Sequence, residues 1–248
     1  MIPNIELFKQ IRNDTDEKIA IHSGNMGDII YAIPVMKKLN IKHLILRPDE
    51  KWAQFTWSNA HAMKTLIESQ GIECSVYDNT YKRNVRYNFD AWRWNNNLNI
   101  FSNNNHISYL QAQLMGIDID IKTKYINVVP EWKKPIIINR TWRYQNPCFS
   151  YYELLHGLEE ICLFVGYKEE YSNFIEHTKL NIEYCQTKSI LDLARIIEGG
   201  YCFIGNQSLC FALAEGLKQN RIQEVCPSIA NCYPQTSNGM GGNSKYEM

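Results

Sequence analysis

The sequence predicts an α/β protein built as two lobes, each a parallel sheet covered by helices, and three observations carry that expectation. Short apolar runs alternate with segments whose apolar residues recur at helical spacing, which is the signature of βα units. Two of the run-to-helix junctions, Ser23 to Asp28 and Gly205 to Ser208, carry glycine beside short polar residues, as turns at the carboxyl ends of parallel strands do. The alternation breaks near residues 127–134 and then resumes. The chain of 248 residues is long enough for two small lobes, divided here as residues 1–130 and 131–230, with a polar, Gly-rich tail over 231–248.

In the first lobe, Ile19 to His22 is a short apolar run that fits a strand. The small-residue loop 23–28 follows, and then Ile29 to Leu39, with apolar residues at 29, 30, 33, 36 and 39, fits a helix. Pro34 is expected to kink that helix or sit near its first turn. His43 to Leu46 reads as the next strand, Ala60 to Gln70 as a helix closed by Gly71, and Cys74 to Tyr77 as a third strand. Residues 79–106 break the rhythm: seven of the eleven residues from 95 to 105 are Asn, a residue of turns and caps, so a long loop or irregular insertion is expected. Ile107 to Met115 resumes as a helix ending at Gly116.

In the second lobe, Pro135 to Asn139 has a buried-strand pattern and leads into the loop 140–147. Ile161 to Gly166 fits a strand, and Ser189 to Glu198 a helix stopped by Gly199 and Gly200. Tyr201 to Ile204 fits a strand, Gln207 to Leu217 a helix, and Ile222 to Val225 a strand.

Composition excludes several classes. Hydrophobic residues make up 45% and charged residues 21%, which is globular rather than disordered. The 26 basic and 26 acidic residues cancel, so the chain is not a globally basic nucleic-acid binder. The eight cysteines form no CxxC and have no His pair at zinc-finger spacing, and they read as buried small hydrophobes in a reducing compartment. The N-terminus lacks the basic and apolar regions of a signal peptide, and no apolar run reaches the ~18 residues of a membrane span. The expected location is cytoplasmic.

The two junctions hold the candidate site. At the first, Gly24 and Gly27 let the backbone pass close to a ligand, with Ser23 and Asn25 in the same loop. Asp28 stands where a helix starts, so it reads either as an N-cap or as a functional carboxylate. At the second, Gly205, Asn206, Gln207 and Ser208 open a helix whose free N–H groups and dipole suit an anion. Glu215 lies seven residues beyond Ser208, on the same helix face. A serine at phosphates and a carboxylate at ribose hydroxyls would suit a nucleoside diphosphate; the structural alternative is an ordinary capped helix. Arg140 and Arg143, in a loop after a strand, present guanidinium forks suited to phosphate oxygens or simply to solvent. Neither junction is a dinucleotide or triphosphate motif. No His, Cys or carboxylate cluster has metal-ligand spacing. His22 is either a substrate contact or a satisfied structural residue.

These residues resemble a family. Gly27-Asp28-Ile29-Ile30-Tyr31-Ala32-Ile33-Pro34, followed by Leu39, is similar to the G-D-[IV]-[IVL]-x-x-x-P-x-x-x-x-L opening of glycosyltransferase family 9, the heptosyltransferase-like enzymes. Phe203-Ile204-Gly205-Asn206-Gln207-Ser208, followed by Ala212-Leu213-Ala214, resembles that family's F-[IV]-G-N-[DQ]-S segment. The resemblance implies the GT-B fold, two Rossmann-like lobes facing a cleft. It also implies sugar transfer from a nucleotide-sugar donor to an acceptor hydroxyl, on a glycan or another compound, with inversion and with neither metal nor cofactor. Asp28 falls on the family's general base, and Asn206, Gln207 and Ser208 fall on its donor-phosphate segment. The chain departs from the family at Leu209, Cys210 and Ala212, where Gly, Pro and His are common.

Those departures motivate a second reading, a nucleotide- or nucleotide-sugar-binding protein without catalysis on the same fold. A third, a nucleic-acid-directed protein, rests on residues 81–94 alone. There Lys82, Arg83, Arg86 and Arg93 interleave with Tyr81, Tyr87, Phe89, Trp92 and Trp94, a mixture that can stack bases and neutralise phosphates or simply pack a loop by its aromatics.

Overall fold

The computed structural model describes residues 18–49, 55–77, 85–94, 106–228 and 232–242. The first sheet has the order β3-β2-β1-β4, from β1 (Ile19–His22), β2 (His43–Leu46), β3 (Glu73–Val76) and β4 (Tyr87–Asn88), and all its pairings are parallel. Helices α1 (Met26–Lys38) and α2 (Trp57–Ser69) connect its strands, a 3-10 turn (Phe89–Trp94) follows β4, and α3 (Ile107–Leu114) packs against α1. All four residues of β1 are buried. That is why the strand reads as an uninterrupted apolar run rather than an alternation.

The second sheet is also parallel throughout, in the order β10-β9-β8-β5-β6-β7. Its strands are β5 (Ile136–Asn139), β6 (Cys162–Val165), β7 (Glu183–Cys185), β8 (Cys202–Asn206), β9 (Arg221–Glu224) and β10 (Gly239–Gly242). Its helices are α4 (Tyr151–Leu155), α5 (Lys168–Thr178), α6 (Ile190–Gly199) and α7 (Leu209–Leu217).

Both strand orders reverse once. In the first sheet the reversal lies between β1 and β4, in the second between β5 and β8. Crevices at such reversals, beyond the carboxyl ends of the strands, are where open parallel sheets take their ligands. The topology therefore selects the loops after β1, β4, β5 and β8.

The two sheets are joined through their helices. Helix α1 packs on α7, and α2 on α6, so Ile30 and Ile33 share one apolar core with Phe211 and Leu213. Every residue of α1 from Asp28 to Met36 is buried, because the first sheet covers one side of the helix and the second lobe the other. A Cβ placed on Gly216 would lie 2.4 Å from Ile126 Cδ1, and the Gly216 carbonyl accepts the Tyr125 and Ile126 amides, each at 3.0 Å. Glycine is needed there because the connection between the lobes crosses α7 at that point.

Several elements differ from the sequence expectation. Helix α1 begins at Met26 and runs through Pro34 without ending. The insertion 79–106 contains β4 and a 3-10 turn among its described residues; positions 79–84 and 95–105 lie outside them. Helix α5 buries only Glu170 and Phe174, too sparse an apolar pattern to show in the sequence. The tail over 231–248 is corrected, since residues 239–242 add a sixth strand beside β9. Its glycines hide it from any apolar pattern and also explain it: a Cβ on Gly239 would lie 2.4 Å from Pro234 Cβ.

Candidate functional site

At the first junction α1 is capped by Asn25, whose carbonyl accepts the amides of Asp28 (2.9 Å) and Ile29 (3.2 Å). Asp28 is thus the third residue of the helix, and the N-cap reading of it is corrected. Its Oδ2 accepts a charged hydrogen bond from Arg93 Nη2. A Cβ on Gly24 would fall 1.8 Å from Arg93 Nη1, so the guanidinium fills the space that any other residue at 24 would take. Arg93 is held from below, because Phe89 and Trp92 of the same 3-10 turn are buried in the core. Burial lowers the Arg93 pKa.

A second acid–base pair stands beside the first. Asp90 Oδ1 accepts the Ser23 amide at 2.6 Å, and Asp90 Oδ2 accepts from Arg47 Nη2 at 3.1 Å. Arg47 Nε donates to Ser23 Oγ at 3.1 Å. Burial alone would raise the Asp90 pKa; hydrogen bonds from His22 and Ser23 outweigh it and hold the carboxyl at about 2. His22 is fully buried, which pulls its pKa down, and its Nδ1 lies 3.1 Å from the Gly24 amide nitrogen and 3.4 Å from Asp90 Oδ1. It braces the loop from within and has no exposed edge for a substrate.

The second junction treats its motif residues differently. Asn206 is fully buried: its Oδ1 accepts the Thr141 amide at 2.9 Å, and its Nδ2 donates to the carbonyls of Thr141 (3.0 Å) and Arg143 (2.6 Å). It ties the loop 140–147 to β8. Ser208 is the N-cap of α7, accepting the Phe211 amide at 3.3 Å and donating to Asn139 Oδ1 at 3.0 Å. A Cβ on Gly205 would sit 2.4 Å from the Asn139 carbonyl, so this glycine serves the pairing of β5 with β8 rather than a ligand's approach. Gln207 is half-buried between them.

Two candidate residues leave the site. Arg140 turns inward and binds Glu224 with both Nε and Nη2, each at 2.9 Å. Glu224 also accepts the Asn146 amide at 2.7 Å and Tyr151 OH at 3.0 Å. Glu215 does share a helix face with Ser208, but α7 is buried along its length. Its carboxylate is fully buried against Arg221 and Lys218, out of reach of a ribose. Arg143, by contrast, is exposed, with its guanidinium carbon 5.4 Å from the Tyr144 ring centre.

The two junctions meet. A Cβ on Gly27 would lie 3.8 Å from the Ser208 carbonyl and 3.9 Å from Ala212 Cβ, so the starts of α1 and α7 are in van der Waals contact. Tyr144, beside Arg143 in the loop after β5, takes left-handed backbone geometry at φ 57°. Asp28 with Arg93 thus stands at the start of α1, and Arg143 lies in the loop that Asn206 ties to β8, just before the start of α7.

Sequence reasoning missed Arg93, Asp90 and Arg47 as site residues, and it missed Glu170. Glu170 Oε2 accepts the Tyr167 amide at 3.2 Å and lies 3.5 Å from Asn139 Nδ2, which links it through Asn139 to Ser208. Burial raises its pKa. The 81–94 segment did signal Arg93, though for another role. Its aromatics Tyr87, Phe89 and Trp92 are buried, and the Trp94 side chain lies outside the described residues. Tyr81, Lys82 and Arg83 lie outside the described residues. Among the described residues no three His, Cys, Asp or Glu side chains gather as a metal set, and no helix is long and apolar enough to cross a membrane.

No protein-family model matches the sequence, and no curated protein does. The fold does have solved counterparts. A family 9 glycosyl transferase from Veillonella parvula superposes with a TM-score of 0.56 at 13% identity, over 92% of this chain and 87% of that one. E. coli heptosyltransferase WaaC with ADP gives 0.54 at 14% identity, over 93% and 95%. E. coli ADP-heptose LPS heptosyltransferase II gives 0.51 at 10% identity, over 91% of each chain. The architecture is the GT-B fold that the two motifs implied.

Proposed function

We propose that the protein is a glycosyltransferase that moves a sugar from a nucleotide-sugar to an acceptor hydroxyl by a single, inverting displacement. The observation that carries this reading is the contact between the two junctions, which sets a carboxylate beside a helix start suited to phosphate. Asp28 accepts the acceptor's proton as its oxygen attacks the anomeric carbon, and Arg93, bound to one carboxylate oxygen, fixes the other in orientation. The bond from that carbon to the diphosphate breaks in the same step. The α7 amides and Arg143 take up the charge on the departing nucleoside diphosphate. In this reading these groups supply the positive field, and no metal ion or cofactor takes part. Fold alone does not assign chemistry, so the reading rests on these groups rather than on the superpositions. We place the reaction in the cytoplasm, where the eight cysteines stay reduced.

One solved neighbour holds ADP, which makes ADP and ADP-sugars the first ligands to test beside their UDP and GDP counterparts. Ligand at about 100 times its dissociation constant adds ~2.7 kcal/mol of stability, which a thermal-shift panel detects. A panel in which no nucleotide raises the melting temperature would remove this reading.

A further inference from the structure

At the opposite end of the second sheet, where β5 and β8 begin, lies a concavity of about 480 Å³ that the transfer reaction does not use. Its volume falls within the ~300–1,000 Å³ of small-molecule sites. Trp132 and Tyr201 stand in its wall, 53% and 68% exposed, with ring centres 5.0 Å apart and planes inclined by 56°. Two aromatic faces set at an angle form a corner open to solvent.

This corner is built rigidly. The Glu131 amide donates to the Arg195 carbonyl at 2.8 Å, and the Tyr201 amide to the Pro135 carbonyl at 2.7 Å. Gln219 Nε2 reaches the carbonyls of Ile197, Glu198 and Gly200 at 2.8–3.0 Å, fixing the end of α6. A Cβ on Gly199 would lie 2.2 Å from the Glu131 carbonyl, so the glycine lets the segment bearing Trp132 lie directly on the helix end. Preorganisation of this kind lowers the ordering cost of binding.

The chemistry around the corner selects the ligand. The nearby lysines are engaged by carboxylates: Lys218 by Glu215, Lys124 by Glu198 and Lys133 by Glu131. Each of these ammonium groups is held by a carboxylate rather than free to meet a phosphate. Leu217, the one aliphatic side chain of the lining besides Pro130, is 3% exposed, so the floor offers no slot for an acyl chain. What remains is aromatic faces beside hydrogen-bonding groups on Glu198 and the backbone. A pyranose fits that combination: its C–H face stacks on a ring while its hydroxyls reach polar atoms. We infer that the Trp132–Tyr201 corner is a binding site for a neutral sugar, separate from the cleft between the lobes.

The test uses the full chain and follows the Trp132 indole N–H by NMR, assigned with Trp132→Phe. The probes are methyl β-glucopyranoside, methyl α-mannopyranoside, maltotriose and cellotriose. The expected result is a saturable shift of the Trp132 signal with at least one probe. Affinity read from the Trp132 signal should fall about tenfold in Tyr201→Ala, with the melting temperature unchanged because that side chain is exposed. Saturating ADP should not compete. No shift with any probe at 50-fold the protein concentration and above, up to about 50 mM, overturns the inference. Competition by ADP does so as well, by placing the sugar in the cleft. A Trp132 signal that moves with protein concentration alone overturns it too, since it marks a contact between copies of this chain. These outcomes are independent of whether the cleft turns over a donor.

Discussion

The two strand-to-helix junctions have similar sequences and opposite uses. At the first, charged side chains pair with one another and keep partial exposure: Asp28 holds Arg93, and Asp90 holds Arg47. At the second they are absorbed into the scaffold, with Asn206 spent on loop carbonyls and amides and Arg140 spent on Glu224. The difference suits what each wall would contribute to the proposed displacement. A proton acceptor has to be a side chain, because the backbone carries no suitable base. Diphosphate charge can be met by helix amides, provided that buried side chains hold the loop in place around them.

The largest expected effect falls on the side-chain wall. Asp28→Asn removes the proton acceptor with little change of shape, and loss of a general base costs roughly 10²- to 10⁴-fold in rate. Donor affinity should stay at the parental level, because the proposed donor site lies on the other wall. Steady-state transfer with a matched nucleotide titration checks both halves. Parental turnover in a folded variant would show that Asp28 serves only its ion pair with Arg93.

Next comes the scaffold wall. Glu224 accepts four hydrogen bonds, and its side chain is fully buried. Glu224→Ala strands Arg140 in a partly buried position, and breaking such a pair costs about 3–5 kcal/mol. Urea unfolding should show this as a lowered midpoint. A loss below ~1 kcal/mol would mean that the loop 140–147 is not held by this network.

Asp90 provides a pH test of the first wall. Its pKa falls from 3.8 to about 2 on folding, and its side chain is 14% exposed. At 1.36 kcal/mol per unit, the difference is worth about 2 kcal/mol. The folded pKa is the depressed one, so this stability is complete above pH ~4 and is lost as pH falls from there through about 2. Asp90→Asn should therefore be less stable than the parent at pH 7 and converge on it near pH 2. Parallel stability curves over that range would show that the contacts of Asp90 with His22 and Ser23 contribute nothing.

Much of this arrangement was legible in the sequence. The parallel strands showed as apolar runs because both their faces are covered, and the two motifs located both junctions. The motifs could not show which polar residues face the crevice. A buried Asn206 and an exposed one have the same spacing, and only the carbonyls of Thr141 and Arg143 beside it decide the matter. Glu215 failed for the same reason: helical phase places it on the face of Ser208, but that face is enclosed by the connection between the lobes. Arg93 was hidden because its partner lies 65 residues away and its own segment has no regular period. Strand β10 was hidden because Gly-Met-Gly-Gly carries no pattern at all.

The smallest effect is the most discriminating for the second wall. Arg140 and Arg143 follow the same strand, three residues apart, and the sequence offers no reason to separate them. The structure does: Arg140 is locked to Glu224, whereas Arg143 is exposed beside Tyr144. An exposed charge contact with a diphosphate is worth about 1 kcal/mol, so Arg143→Ala should weaken nucleoside diphosphate binding roughly fivefold at unchanged melting temperature. Binding of the free nucleoside should not change, since it carries no phosphate. Arg140→Ala should show the reverse signature, a lower melting temperature with any loss of affinity shared by diphosphate and nucleoside alike. The comparison also responds to salt: the Arg143 contribution should shrink as ionic strength rises, while the buried Arg140–Glu224 pair should not. If Arg143→Ala weakened nucleoside and diphosphate equally, Arg143 would have to be placed with the scaffold, and the charge of the leaving group would be left to the α7 amides alone.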